Sequence, residues 1–91
     1  NGNKGMKGPP AYIYEKIGDY YRFIGITHSP ITDNIRNIKL DKNPNPNDPK
    51  DSYARPTAGI GEIKRFGKKK KGWRLSKEDK RTMKSIAKKS K

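Results

Sequence analysis

The 91-residue chain has no cysteine, one histidine and one tryptophan. The missing thiols exclude disulfides and thiolate metal centres, and a lone histidine leaves little for a zinc site built from imidazoles. Hydrophobic residues make up only 29% of the chain, enough for one thin core and not for two. No apolar run approaches the roughly 18 residues a membrane-spanning helix needs. No secretory leader is visible, and the chain opens on Asn1 rather than methionine, which suggests a piece of a longer protein or a processed or trimmed chain. Acidic residues are scarce too: 9 Asp and Glu stand against 23 Lys and Arg, a net charge of +14.

A chain with that excess repels itself when compact and calls for an acidic partner. Its distribution narrows the choice. Residues 62–91 hold 14 basic and 3 acidic residues, a net +11, whereas residues 1–61 hold 9 basic and 6 acidic, a net +3. Lys68, Lys69, Lys70 and Lys71 form a point-charge cluster suited to phosphates. Beside it, Trp73 offers a stacking surface and Arg74 a fork of donors. Lys77, Arg81 and the lysines beyond them extend the field along a basic helix. Nucleic acid, RNA in particular, is the partner this pattern implies. A membrane-surface peptide fits less well, because the helix lacks a broad apolar face.

Residues 1–10 (NGNKGMKGPP) read as a flexible linker and residues 11–91 as a single domain. Ala11 to Ile17 and Tyr20 to Thr27 are rich in Tyr, Ile and Phe, and Gly18-Asp19 between them is a two-residue hairpin signal. Pairing across that turn sets Ile17 opposite Tyr20, Glu15 opposite Arg22, Ile13 opposite Ile24 and Tyr14 opposite Phe23, with one face mainly Ile and the other mainly aromatic. Ser29-Pro30 can start a helix carrying Ile31, Ile35 and Ile38 as its stripe. The segment after Leu40, with Pro44, Pro46, Pro49 and Pro56, cannot be regular helix or central strand, and a loop of this length is usually functional or mobile. Gly59 to Phe66 reads as a strand and Trp73 to Leu75 as a short returning one. Ser76 with Asp79 three residues on caps a final helix that runs to about Ser90, with Leu75, Met83 and Ile86 as its apolar side. The fold class expected is α+β: a small, mainly antiparallel sheet with one or two helices, the basic one at the C-terminus.

Three constellations could carry chemistry. His28, just past the second strand, suits proton transfer at a ribose 2′-hydroxyl or a leaving 5′-oxygen. Arg55 and Lys64 are candidate cations for the phosphate, whose charge grows in the transition state, and Thr57 or Tyr53 could hydrogen-bond it. The alternatives are a loop histidine with no chemical role and a structural anchor for Arg55. Second, Glu62-Ile63-Lys64 with Asp48 or Asp51 upstream is similar to the catalytic pattern of restriction-endonuclease-like DNases, which implies a divalent metal held by carboxylates. Third, Tyr12-Ile13-Tyr14 with Phe23 to Thr27, and Arg36 beyond, resembles the paired strands of GIY-YIG nucleases.

Two further resemblances concern the whole domain. Ile17 to Ile24 (IGDYYRFI) is similar to the hairpin of RelE-type RNase toxins. The arrangement of a Gly/Asn linker followed by a small, very basic, cysteine-free domain resembles the C-terminal toxin domains of bacterial contact-dependent growth inhibition and related polymorphic toxins. Many of those are tRNases, several with the barnase/EndoU/colicin/RelE fold. That resemblance implies metal-independent cleavage of tRNA with no cofactor and delivery to a target-cell cytoplasm from a larger secreted or surface protein. It also implies an acidic immunity protein as partner and, for some members, a host factor such as elongation factor Tu. Two alternatives remain from the residues alone: a non-catalytic RNA-binding, ribosome-associated module, and a metal-dependent DNase using Glu62 and Lys64.

Overall fold

The computed structural model describes residues 10–67 and 72–90. The linker expected over residues 1–10 therefore lies almost wholly outside the described residues, as does the Lys68 to Lys71 cluster.

Strands β1 (Ala11–Ile17) and β2 (Tyr20–Thr27) form the expected hairpin, with Gly18 at φ 57° in its turn. Positive φ costs glycine nothing, which is why a two-residue connection works here. Near the turn the pairing is as expected: Ile17 faces Tyr20 and Glu15 faces Arg22. Beyond it the expectation fails. A bulge at Tyr14 shifts the register, so Ile13 pairs with Phe23 and Tyr12 with Ile24. The physical reason lies in the faces. A one-residue slip moves side chains across the sheet. Here it brings the larger bodies of Tyr12 and Tyr14 against the core and leaves Ile13 40% exposed.

The helix expected after Ser29-Pro30 is absent. Strands β3 (Ile31–Thr32) and β4 (Ile35–Arg36) pair instead across Asp33-Asn34, at φ 52° and 64°. Two consecutive left-handed residues make a hairpin turn of the primed type, and Asp and Asn are the non-glycine residues that tolerate it. Ile31 and Ile35 are consequently exposed rather than forming a buried stripe. Strand β5 (Ile38–Lys39) pairs with β6 (Tyr53–Ala54), which pairs with the end of β2. A short strand thus interrupts the proline-rich segment. Strand β7 (Gly59–Glu62) pairs with the first half of β2, then gives way to a 3-10 turn at Ile63–Arg65, so the strand expected to reach Phe66 stops at Glu62. Trp73 to Leu75 forms no strand. The main sheet is antiparallel, ordered β1-β2-β6-β5 with β7 beside β6 along β2.

Helix α1 (Lys77–Lys89) starts where expected, with Ser76 Oγ accepting from the Asp79 N–H at 3.1 Å. It packs Met83 and Ile86 against Ile24, Ile26, Leu40 and Ala54, with Leu75 alongside. This is the thin core that the composition allowed. Asp79 does not close the cap in the usual way. Its buried carboxylate accepts from the backbone N–H groups of Asp41 at 2.7 Å and Lys42 at 3.1 Å, fastening the start of the helix to the end of β5. On the far face, Phe66 stacks edge-on against Tyr21 and Phe23, both at 5.2 Å. Gly59 is needed there, since a Cβ would sit 2.9 Å from Phe23 Cζ. The observed class is α+β, a mostly antiparallel sheet with one C-terminal α-helix. Among the described residues, no helix is long and apolar enough to cross a membrane.

Candidate functional site

Strand β2 delivers His28 to the sheet end, where the proline-rich segment folds back over it. His28 Nδ1 lies 2.9 Å from the Asp51 carbonyl oxygen, and Nε2 lies 3.3 Å from Asp48 Oδ2. A carbonyl can only accept, so Nδ1 carries the hydrogen. With a carboxylate at Nε2 as well, both nitrogens face acceptors.

The segment that brings Asp48 there is ordered by its own side chains. Asn43 Oδ1 accepts from the Asn45 N–H, Asn45 Oδ1 from Asn47, and Asp48 Oδ1 from Lys50, at 2.9 to 3.0 Å. Each bond spans two residues. In the first the skipped position is Pro44, in the second Pro46 and in the third Pro49, none of which has an N–H to offer. Alternating Asn or Asp with Pro thus builds a run of Asx turns. The Lys50 N–H is also the main cause that holds the Asp48 carboxyl below its ordinary value of 3.8. Desolvation works against it, while the Asn43 amide and the charges of His28 and Lys50 add to it.

Around the pair is a cleft of about 290 Å³, whose lining includes Thr27, Asn43, Ser52 and Trp73. Ser52 is 2% exposed, and its Oγ has no hydrogen-bond partner among the described residues. A buried hydroxyl left unpaired costs about 1–3 kcal/mol, a local cost that the rest of the fold carries. The Trp73-Arg74 segment is tied to the loop by the Arg74 N–H on the Pro44 carbonyl at 3.1 Å.

The other expected residues are placed as follows. Tyr53 adjoins Ser52 and pairs with Thr27, but does not line the cleft. Arg55 does not line it either: Nη1 donates to Asn37 Oδ1 at 2.7 Å, and Asn37 in turn donates to the Ser29 carbonyl at 2.9 Å. Arg55 is therefore linked to the cleft lining through Asn37 and then Ser29. Thr57 is exposed beyond β6. Lys64 is not brought to His28. It follows Glu62, which pairs with Tyr20, and eight residues of β2 at about 3.3 Å each put roughly 26 Å between that end and His28. Lys77 and Arg81 are exposed on α1.

Glu62 faces Lys64 at 3.9 Å and Arg65 at 3.5 Å, while Asp48 stands at the opposite end of β2 with His28. The carboxylates of the DNase-like pattern are thus not assembled, and no group of three or more potential metal ligands occurs among the described residues. Of the GIY-YIG-like residues, Tyr12 and Tyr14 pack on the core, and Arg36 lies on strand β4 rather than on a helix. Sequence reasoning missed the partnership of Asp48 with His28, and missed Ser52, Asn43 and Asn37 altogether. The Asn-Pro alternation was the signal that could have pointed to an ordered loop. Comparison of the chain with protein-family models, with curated proteins and with solved structures finds no match in any of the three.

Proposed function

We propose that the domain is a metal-independent endoribonuclease in which His28 and Asp48 move the protons. The observation that carries this reading is the 3.3 Å contact between His28 Nε2 and Asp48 Oδ2 at a cleft of about 290 Å³. In the reaction the ribose 2′-oxygen attacks the adjacent phosphorus and the bond from phosphorus to the 5′-oxygen breaks. Asp48 takes the 2′-hydroxyl proton and the His28 imidazolium gives its Nε2 proton to the leaving 5′-oxygen. The products are a 2′,3′-cyclic phosphate and a 5′-hydroxyl, and proton transfer from Asp48 to His28 restores the pair. The phosphate must come between the two side chains. Trp73 offers a base a stacking surface, while Lys68 to Lys71, Arg74, Lys77 and Arg81 hold the backbone.

The resemblance to contact-dependent toxin domains supports a finer version: tRNA as the target, delivery into a neighbouring cell from a larger protein, a host factor such as elongation factor Tu, and neutralisation by an acidic immunity protein. The net charge of +14 suits fast, salt-sensitive association with such a partner. A second reading, a non-catalytic RNA-binding module, is favoured by one observation: both nitrogens of His28 are already engaged.

The test is incubation of purified protein with total bacterial RNA and plasmid DNA, in EDTA or magnesium, with and without bacterial extract. Discrete tRNA fragments in EDTA bearing cyclic phosphate ends are expected. Loss of either proton-transfer group should lower the rate by about 10²–10⁴, in His28→Ala and Asp48→Asn alike. RNA bound but intact would establish the binding module, and metal-dependent DNA nicking would overturn the metal-independent reading.

A further inference from the structure

Edge strand β1 and helix α1 enclose a second opening, a groove of about 500 Å³ lined by Tyr12 and Tyr14 from the strand and by Met83, Lys84, Ala87 and Lys88 from the helix. We infer that this groove binds unpaired bases of single-stranded RNA, extending the RNA path from the His28 cleft. The inference rests on the RNA-binding part of the function proposed above.

Three observations lead there. The first is the lining: two tyrosyl rings, two apolar side chains between them and the helix, and two lysines one turn apart. Aromatic rings stack on any base regardless of sequence, and ammonium groups beside them meet the phosphates. Tyr12 and Tyr14, two residues apart on β1, share the helix side of the sheet, where both pack against the core.

Charge is the second. Among the described residues, neither Lys84 nor Lys88 is paired with a carboxylate. The one acid lining the groove, Glu15, stands 3.3 Å from Arg22 Nε. That contact has the distance of an ion pair, although Arg22 Nε lacks hydrogen-bond alignment. It nevertheless offsets the one negative charge an incoming phosphate would meet. The groove is therefore net cationic.

The third is continuity. Pro10 lines the His28 cleft, and its carbonyl accepts from the Ile26 N–H, while Tyr12 and Tyr14 line the groove. Four residues of extended chain at about 3.3 Å each separate Pro10 from Tyr14, so the two openings follow one another within roughly 13 Å along a single sheet edge. One strand of RNA can occupy both.

The experiment uses the full chain with His28→Ala to prevent cleavage. A labelled 12-mer oligouridylate and inorganic polyphosphate of matched charge are the two probes, since only the first has bases. Tyr12→Leu and Tyr14→Leu, which keep apolar bulk, should each weaken oligouridylate binding about 5- to 100-fold and leave polyphosphate binding unchanged. The exposed pair Lys84→Gln with Lys88→Gln should weaken both and reduce the salt slope for oligouridylate by about 1.4, at roughly 0.7 per phosphate. Should the tyrosine variants fail to fold, the NMR signals of the Tyr12 and Tyr14 rings in the unsubstituted groove answer the same question. They should shift with oligouridylate and not with polyphosphate. Unchanged affinity in the tyrosine variants, unshifted rings, or equal displacement of oligouridylate by polyglutamate would overturn the groove and leave the nuclease reading standing. Absence of any oligouridylate binding would overturn both.

Discussion

Replacing Asp79 with alanine should cripple the fold, although it removes only one small side chain. Its carboxylate is 2% exposed and holds the N–H groups of Asp41 and Lys42 at 2.7 and 3.1 Å. Charge-assisted bonds of this kind contribute about 1.5–3 kcal/mol each. A negative charge in the first helical turn adds about 0.3–1 kcal/mol. Allowing for water entering the gap, the loss comes to about 3–5 kcal/mol, within the range for breaking a buried charged contact. At about 0.05–0.15 kcal/mol per residue, a chain of this length has about 5–14 kcal/mol in all. With about 4–8 °C per kcal/mol for a domain of this size, the melting temperature should fall by at least about 12 °C, or the cooperative transition should vanish. Circular dichroism at 222 nm and pH 7 reads this directly. Asp79→Asn keeps one acceptor oxygen and should fall between alanine and the parent. Glu78→Ala, one residue away and exposed, removes only the charge in the first turn and should cost at most about 1 kcal/mol. A drop below about 4 °C for Asp79→Ala would refute the view that this carboxylate fastens helix to sheet.

Two further substitutions separate structure from chemistry at the site. Arg55→Ala should destabilise by about 1.5–3 kcal/mol, because it strips the 2.7 Å bond from Asn37, which is 6% exposed. Unchanged stability with lost cleavage would instead place Arg55 on the phosphate. For Asp48, the folded-state pKa lies below its ordinary value, so its contribution is complete above about pH 4 and disappears as pH falls through the lowered value. Asp48→Asn should therefore be less stable than the parent at pH 7, with the gap in urea midpoint narrowing as the pH falls below about 4. A gap that does not change with pH would mean that the charge contributes nothing.

What could be read from the sequence was the local chemistry. Gly18-Asp19 and the Glu15–Arg22 pair lie within a few residues of each other, and so do the Ser76 cap and the Met83 and Ile86 stripe; all appear as expected. The failures arise where two signals compete or where a distant element decides. Spacing of four and three residues among Ile31, Ile35 and Ile38 fits a helix, but Asp33-Asn34 between the first two accepts left-handed backbone and turns the chain instead. The bulge at Tyr14 puts Tyr12 and Tyr14 on the side where Met83 of α1 packs, more than sixty positions further on, and the hairpin's own residues carry no signal of that partner. Trp73 to Leu75 has strand composition, yet its Arg74 N–H goes to Pro44 in a loop rather than into a ladder.

The site divides along the same line. His28 stood out as the lone imidazole, while its partner lay hidden among prolines that forbid regular structure. Those prolines are what make the partner dependable. Without an N–H at Pro44, Pro46 and Pro49, the backbone offers a donor only two residues beyond each preceding Asn or Asp, and three side chains take those donors in turn. The wall that presents Asp48 to His28 is thus braced by itself and draws little on a core of six buried side chains. A small domain with so thin a core would otherwise have to hold a long proline-rich loop with packing that it does not have. Local Asx turns substitute for that packing, and they keep the Asp48 carboxylate ionised against the histidine.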